Sequence, residues 1–582
     1  MQGAGFLRIL LLAVAGFFLY RYLMGGSSNG SIQAQPLGSE SHLTPEQRAP
    51  YQYCDIQTDY FHAKLSTRGA TLRNFQLRKP KYQKHGTAID LSTTPHPGVA
   101  LGDPRAEDPS APGLHEFRQQ LFSQWRTPTI EAPADAAWNV DLDSVDYRLD
   151  NADSNSCTFS YRDAKVQLTK TVRATERPYE LEVSNEIRNL DSAPRAHAFA
   201  IDTITWLRTS DTTGGMFRVS PFVTHAECVP EQGKPLRLLP TDFEPDDFKN
   251  TDAYRVLQPS GWYQSVLSPS VAALSNAYFT QGIAAVSGKG SPVCQLLIEH
   301  RYREGRAADP DSGSFYRARL AYPLTSLAAG ESARYVTLSY AGPKERSILA
   351  DTGGGQQHFV ELIDLGFFSV IAKVLVTFLL KVHAAVPNWG VAIIVLTMTA
   401  RILLFPLSWP SIRNMVRMRE IKPEMDAMNE KFKSDPQGRG LAQMELWRKH
   451  KVNPLKGCLP QLASMPVWFA LYTTLQTAVE LYNTPFLWFP DLSAPDPYFI
   501  LPIVIGATYF LQQKLMPMQG GDPAQQKMMM YFMPAMFTVF MLFLPSGLGV
   551  YMFTNSVLAI VQQQLVERQV RRSSANARLG QA

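Results

Sequence analysis

Catalytic and metal-binding signatures are missing from this 582-residue chain. It has no G-x-S-x-G, no H-E-x-x-H and no complete Walker loop. The Gly-Lys pair in GIAAVSGKG, from Gly282, has the wrong spacing, and no hydroxyl follows the lysine. Cysteine is scarce, five residues in all, and no two form a C-x-x-C pair, which argues against zinc. His197, His225 and His300 stand apart and read as structural histidines. The net charge of +5 leaves no nucleic-acid footprint. The chain thus reads as a non-enzyme with no cofactor or metal. One further shortage is local: the long apolar runs from Asn388 onward hold no aspartate, and Glu480 sits at the end of one. That leaves no ion-coupling site.

The whole-chain averages, 45% hydrophobic residues and a mean hydropathy of −0.14, conceal two halves. Residues 1–24 hold an apolar segment, Phe6 to Met24, flanked by Arg8 and Arg21. No small-x-small site or lipobox cysteine follows it, so it reads as an uncleaved signal anchor. Residues 25–52 have linker composition. Residues 53–345 alternate in the manner of strands: Leu181, Val183 and Ile187 in YELEVSNEI, Val166, Leu168 and Val172 in KVQLTKTV, and Val336, Leu338 and Tyr340 in RYVTLSY. Gly, Pro and Asp turns separate these runs, and the expected fold is a large antiparallel β-sandwich. Cys54, Cys157, Cys228 and Cys294 all fall in it. An exported location permits disulfides, but the wide spacing favours isolated core thiols.

The second half is organised by charge. Residues 388–408, NWGVAIIVLTMTARILLFPLS, read as a span with Arg401 inside it. A cation near mid-bilayer costs about 2.5–3.5 kcal/mol on insertion scales. Thr397 shares its helix face, and no acidic residue in the segment can pair with it. Either Arg401 lines a wet notch facing protein or it snorkels to an interface. Residues 409–457 carry eleven Lys/Arg against six Asp/Glu, broken by Pro423 and Pro436, and read as a helical hairpin. Spans three to six follow in residues 458–565, and residues 566–582 form a basic tail. The positive-inside rule puts the hairpin and tail in the cytoplasm and the loop around Asp491 outside. Six spans with both termini inside satisfy this, with the β domain outside. Residues 346–387 then form a linker and an amphipathic helix lying in the outer interface.

Polar residues recur along the spans. Gln461 and Ser464 share a face of the third, with Trp468 beyond them; Gln512 ends the fourth; Tyr551, Thr554, Asn555 and Gln562 form one stripe of the sixth. Singly, each is interhelical glue. Together with Arg401 they suggest a hydrated groove.

This half resembles the YidC family of bacterial membrane-protein insertases. The resemblance is carried by NWGVAIIVLTMTARILLFPLS, KVNPLKGCLPQLASMPVWFALY from Lys451, FLWFPDLSAPDPYFILPI from Phe486 and the stretch from Asp522 through VLAIVQQQL, with YAGPK closing the β domain. It implies a six-span membrane bundle with a periplasmic β-sandwich in a bacterial inner membrane. The groove residues would be Arg401, Thr397, Gln461, Ser464, Trp468, Gln512, Tyr551, Thr554 and Asn555, with Tyr551 at the family's substrate-contacting position. Met552 stands where some members carry a second aromatic. The partners implied are nascent membrane proteins, the Sec translocon, the ribosome through the cytoplasmic loops, and the lipid bilayer. The periplasmic domain is expected to be dispensable for insertion. The competing reading is a solute transporter with an outer binding domain, but no internal repeat supports it.

Overall fold

The computed structural model describes residues 52–91, 122–126, 145–208, 224–243, 254–256, 262–301, 313–450, 452, 467–515 and 528–579, less single positions at 85, 266, 433–434 and 468. The expected signal anchor and linker, and Gln461, Ser464 and Trp468, lie outside these residues. The chain divides into two compact units. One holds the strands up to Asp364 together with Thr477–Asn483; the other holds Leu365–Gln476 and Thr484–Ala582.

In the first unit, β1 (Tyr53–Gln57), β2 (Phe61–Ser66) and β3 (Thr71–Leu77) form a small sheet, and β4 (Gln83–Lys84) pairs with β5 (Thr87–Ala88). Then come β6 (Phe122–Arg126), β7 (Arg148–Ala152), β8 (Ser156–Arg162), β9 (Val166–Ala174), β10 (Glu180–Asn189) and β11 (Arg195–Arg208). They are followed by β12 (His225–Pro230), β13 (Leu236–Leu238), β14 (Tyr254–Val256), β15 (Tyr263–Ser265), β16 (Pro269–Ser275) and β17 (Phe279–Ser287). The last are β18 (Val293–Arg301), β19 (Gly313–Ala321), β20 (Thr325–Leu327) and β21 (Ser332–Pro343). A nine-stranded sheet runs β13-β12-β16-β17-β21-β10-β9-β8-β7, and a seven-stranded sheet runs β14-β15-β18-β19-β11-β20 with β6 also on β11. Strands β12, β16 and β17 of the first sheet face β18, β19 and β11 of the second. The period-two pattern explains the core between them: Val166, Leu168 and Val172 of β9 and Leu181, Val183 and Ile187 of β10 are all buried.

Three features depart from the expectations. First, the four cysteines are not isolated thiols: Cys54 is bridged to Cys157, and Cys228 to Cys294, each with a Cα–Cα distance of 6.1 Å. Stacked antiparallel sheets bring remote strands together, so separations of 103 and 66 residues say nothing against pairing. Second, the sandwich does not end at residue 345. After α1 (Arg346–Asp351), Phe359 and Leu362 plug into the same core. Third, the unit takes in a strap from the second half of the chain. Val479 and Leu481 of Thr477–Asn483 are fully buried, and the Tyr482 ring meets Tyr278 and Phe279. Lys81 donates to the Glu480 carbonyl, and the Asn483 amide donates to the carbonyls of Lys81 and Gln83. Deleting the β unit would strip this strap of its partners and expose Val479, Leu481 and Tyr482.

A buried ionic cluster lies on β12. Arg237 donates to the Glu227 carboxylate at 2.9 Å, His225 lies 3.5 Å away, and Arg237 also reaches the Glu361 carbonyl. Burial alone would raise the Glu227 pKa, but His225, Lys344 and Arg237 outweigh it and hold the carboxyl down at about 2. A carboxyl depressed in the fold contributes stability above its unfolded pKa, and that stability is lost as pH falls from about 4.5 towards 2. Removing one partner of such a cluster costs about 3–5 kcal/mol. Glu227→Gln should therefore lower the melting temperature of this unit at pH 7 and flatten its acid limb below pH 4.5; scanning calorimetry across pH checks both.

Candidate functional site

The second unit is helical: α2 (Ser369–Ala385), α3 (Trp389–Glu420), α4 (Lys422–Lys431), α5 (Pro436–Lys449), α6 (Ile500–Leu515), α7 (Met533–Met541) and α8 (Ser546–Leu579). Helix α3 starts where the sequence places it, because Asn388 caps it: the Val391 amide donates to the Asn388 Oδ1 at 3.0 Å. It does not stop at Ser408. Despite Pro406 and Pro410 it runs on to Glu420, so the first limb of the expected hairpin continues the helix that carries Arg401. The α4 and α5 limbs then close on Met418, Ile421, Met425 and Val452. Among the described residues one helix, Trp389–Pro406, is long and apolar enough to cross a membrane.

Helix α8 packs against α3 and α6, and α7 against α6. Two glycines permit this closeness. A Cβ on Gly506 would collide with Thr538 of α7, and one on Gly549 with Leu501 of α6. The loop around Asp491 and Asp496 is tied to the start of α8. Asp496 accepts from the amides of Tyr498 and Leu501 and from the Trp488 indole, and Ser546, at the start of α8, donates to the Ala494 carbonyl. Asp491 likewise accepts from the Ser493 amide and hydroxyl. Both aspartates build turns.

Arg401 lies on the α3 face that meets α8. Its Nε donates to Asn555 Oδ1 at 2.6 Å and its Nη2 to the Asn555 carbonyl at 3.1 Å. Nη1 reaches Gln562 Oε1 at 3.5 Å, while the Gln562 amide donates back to the Arg401 carbonyl at 3.3 Å. The guanidinium has five N–H groups, so these bonds leave some donors uncommitted. All its partners are neutral, and no carboxylate among the described residues forms an ion pair with it. Snorkelling is not what this side chain does: it reaches across to the next helix.

The other expected groove residues divide. Tyr551 lies one turn before Asn555 on α8, within electrostatic reach of Arg401, and is only 5% exposed. Thr397 and Thr554 turn their hydroxyls back to the carbonyls of Ile393 and Val550 on their own helices. They keep the interface polar without contacting the guanidinium. Gln512, in the last turn of α6, is half-buried and is not bonded to Arg401. Gln562 belongs at the centre of the set; its signal was its place two turns after Asn555 on the same stripe. Tyr509 was not anticipated. It lies on α6, within electrostatic reach of Arg401. Its one sequence signal is a polar-tipped ring in an otherwise apolar run.

The outer faces of the same helices have the opposite character. Ile402 and Leu403 of α3, Ile503 of α6, and Val557, Val561 and Leu565 of α8 are exposed. Helices that are polar where they meet and apolar where they face out belong in lipid, the reverse of a water-soluble bundle. The class is therefore an integral membrane protein bearing a large antiparallel β domain.

The comparisons with known proteins agree. Residues 54–378 match the family described as the YidC periplasmic domain, and residues 381–573 match the 60Kd inner membrane protein family. A membrane protein insertase YidC from Anaeromyxobacter dehalogenans (strain 2CP-C) is 35% identical over 90% of this chain and 86% of its own length. One from Paraburkholderia phymatum is 31% identical over 89% and 84%. Among solved structures, an active YidC insertase matches at 16% identity and a TM-score of 0.34 over 95% of this chain and 98% of that one. A galactose mutarotase-like protein from Lactobacillus casei matches at 14% identity and a TM-score of 0.32 over 50% of this chain and all of that one. Both scores are low, and the assignment rests on sequence. The chain belongs to the YidC family of membrane protein insertases, an inner-membrane family with a periplasmic domain.

The helix contacts generate a stability prediction. Gly506→Val would push α7 off α6, an overpacking that costs about 1–3 kcal/mol. The detergent-solubilised protein should melt several degrees lower, whereas Ile503→Val on the exposed face of α6 should change little; a fluorescence melt compares the two.

Proposed function

We propose that the polar seam between α3 and α8 is the path by which segments of nascent membrane proteins pass from the cytoplasm into the bilayer. The observation that carries this reading is Arg401: a permanent charge, half-buried in a seam whose outer surface is apolar, with only neutral hydrogen-bond partners among the described residues. Such a charge raises the seam's affinity for acidic residues in a segment being translocated. Asn555, Gln562 and Tyr551 offer hydrogen bonds that replace water along part of the way. Once the segment's apolar stretch meets lipid, its burial drives release. Thr397, Thr554 and Gln512 complete the proposed lining among the described residues.

The topology that suits this role has six spans with both termini in the cytoplasm. The hairpin and basic tail then lie on the cytoplasmic side, where nascent chains arrive from the ribosome or the Sec translocon, and the β unit lies in the periplasm. Helix α2 suits an interfacial position: Phe367, Val370 and Val374 are exposed beside Lys373 and Lys381.

A charge series tests the mechanism. Arg401→Ala should reduce insertion of substrates with acidic translocated segments roughly tenfold. Arg401→Lys keeps the charge but loses the forked grip on Asn555, and should retain much of the activity. Asn555→Asp leaves the arginine in place and adds a carboxylate within 2.6 Å of its Nε. That internal ion pair should abolish the attraction, so this variant should resemble Arg401→Ala. Protease protection of pulse-labelled substrates gives the readout. Full activity of Asn555→Asp on acidic segments would remove the electrostatic role, and normal insertion with lost solute uptake would favour a transporter.

A further inference from the structure

The disposition of the cysteines carries information beyond insertion. Four of the five lie in the β unit, and Cys458 lies elsewhere. The four are bridged in sequence order, first to second and third to fourth. Four cysteines can pair in three ways, and this is the one way that joins each to its neighbour along the chain. Each bridge also crosses between sheets. Cys54 of β1 ties the small three-stranded sheet to Cys157 of β8 in the nine-stranded sheet, and Cys228 of β12 ties that sheet to Cys294 of β18 in the seven-stranded one. All four residues are at most 2% exposed.

Burial restricts when the bridges can form. An oxidant that is itself a protein must bring its disulfide to the cysteine sulfur, and the closed sandwich allows no such approach. Oxidation must therefore precede closure of the sheets. An oxidant acting on a chain that emerges N-terminus first meets Cys54, then Cys157, and has the first pair before Cys228 appears. Consecutive pairing is what that order produces.

We propose that both bridges are made outside the cytoplasm by a protein thiol–disulfide oxidant, in the order in which the cysteines emerge, and that the chain needs no disulfide isomerase. In each case one cysteine thiolate attacks the oxidant's disulfide and forms a mixed disulfide, expelling one oxidant thiolate. The second cysteine thiolate then attacks the mixed disulfide and releases the oxidant as a dithiol. The protein loses two protons and two electrons per bridge, and the oxidant gains them. The proposal rests on the periplasmic placement of the β unit. Cytosolic thiol pools keep cysteines reduced, so a unit left inside would have neither bridge.

The test uses the full-length protein in cell membranes. A mass-tagged maleimide is added in denaturant, before and after reduction. Trypsin added to intact spheroplasts reports separately whether the β unit is outside. The expected result is cleavage of the β unit, one adduct before reduction, from Cys458, and five after it. Peptide mapping should find Cys54–Cys157 and Cys228–Cys294. Cells lacking the oxidant should give five adducts without reduction, and cells lacking the isomerase should give the wild-type pattern. In Cys228→Ala the Cys54–Cys157 bridge should still form. Protection of the β unit from trypsin would overturn the topology. Cleavage with five free thiols would overturn the bridges alone. Crossed pairs such as Cys54–Cys294 in isomerase-deficient cells would overturn the sequential order.

Discussion

A single uncompensated charge organises the helical half of this protein. Arg401 cannot be left in hydrocarbon, and it is given no carboxylate. Asn555 and Gln562, two turns apart on α8, hold it by hydrogen bonds that leave its charge intact. This requires α3 and α8 to lie side by side, and the Gly549 and Gly506 contacts bring α6 and α7 in behind α8. Under the proposed function, neutralising the arginine would remove the charge proposed to attract acidic residues in a passing segment, and the amide side chains hold that charge without cancelling it.

The β unit is held together on other terms. Its core is the apolar layer between two antiparallel sheets, reinforced by two bridges and by the Glu227–Arg237 cluster. It also holds chain from both sides of the sequence boundary. Phe359 and Leu362 continue the core beyond the last strand, and Val479, Leu481 and Tyr482 enter it from the end of the third expected span and the residues just after it. Such a unit folds to completion only when the later part of the chain has been made.

Much of this was legible in the sequence, and the gaps have physical reasons. Period-two alternation marked β9 and β10 because alternate residues of each are buried in the core, whereas β21 is buried on both faces from Thr337 onward and its Val336 is only partly buried. The span was expected to begin at Asn388, and that residue caps α3. Arg401 and the Asn555 stripe were legible because charge and amides are conspicuous in apolar runs. The bridges were not, because pairing depends on which strands of two stacked sheets face each other, a property of topology rather than spacing. The strap was missed because VEL and Tyr482 look like the tail of a span; only the tertiary fold distinguishes lipid from a protein core as their apolar surroundings. That α3 runs unbroken from the span into the first limb of the hairpin was not legible, because Pro406 and Pro410, normally breakers, are tolerated within it.

The central claim is that a substrate in transit touches the polar seam and not the apolar outer face. Photo-crosslinkers placed one at a time at Tyr551, 5% exposed on the seam side, and at Val557, 37% exposed on the outer face, measure this directly on the same helix. With a ribosome-stalled nascent chain whose transmembrane segment has just emerged, Tyr551 should capture the segment strongly and Val557 weakly. Equal capture at the two positions, or stronger capture at Val557, would contradict the account.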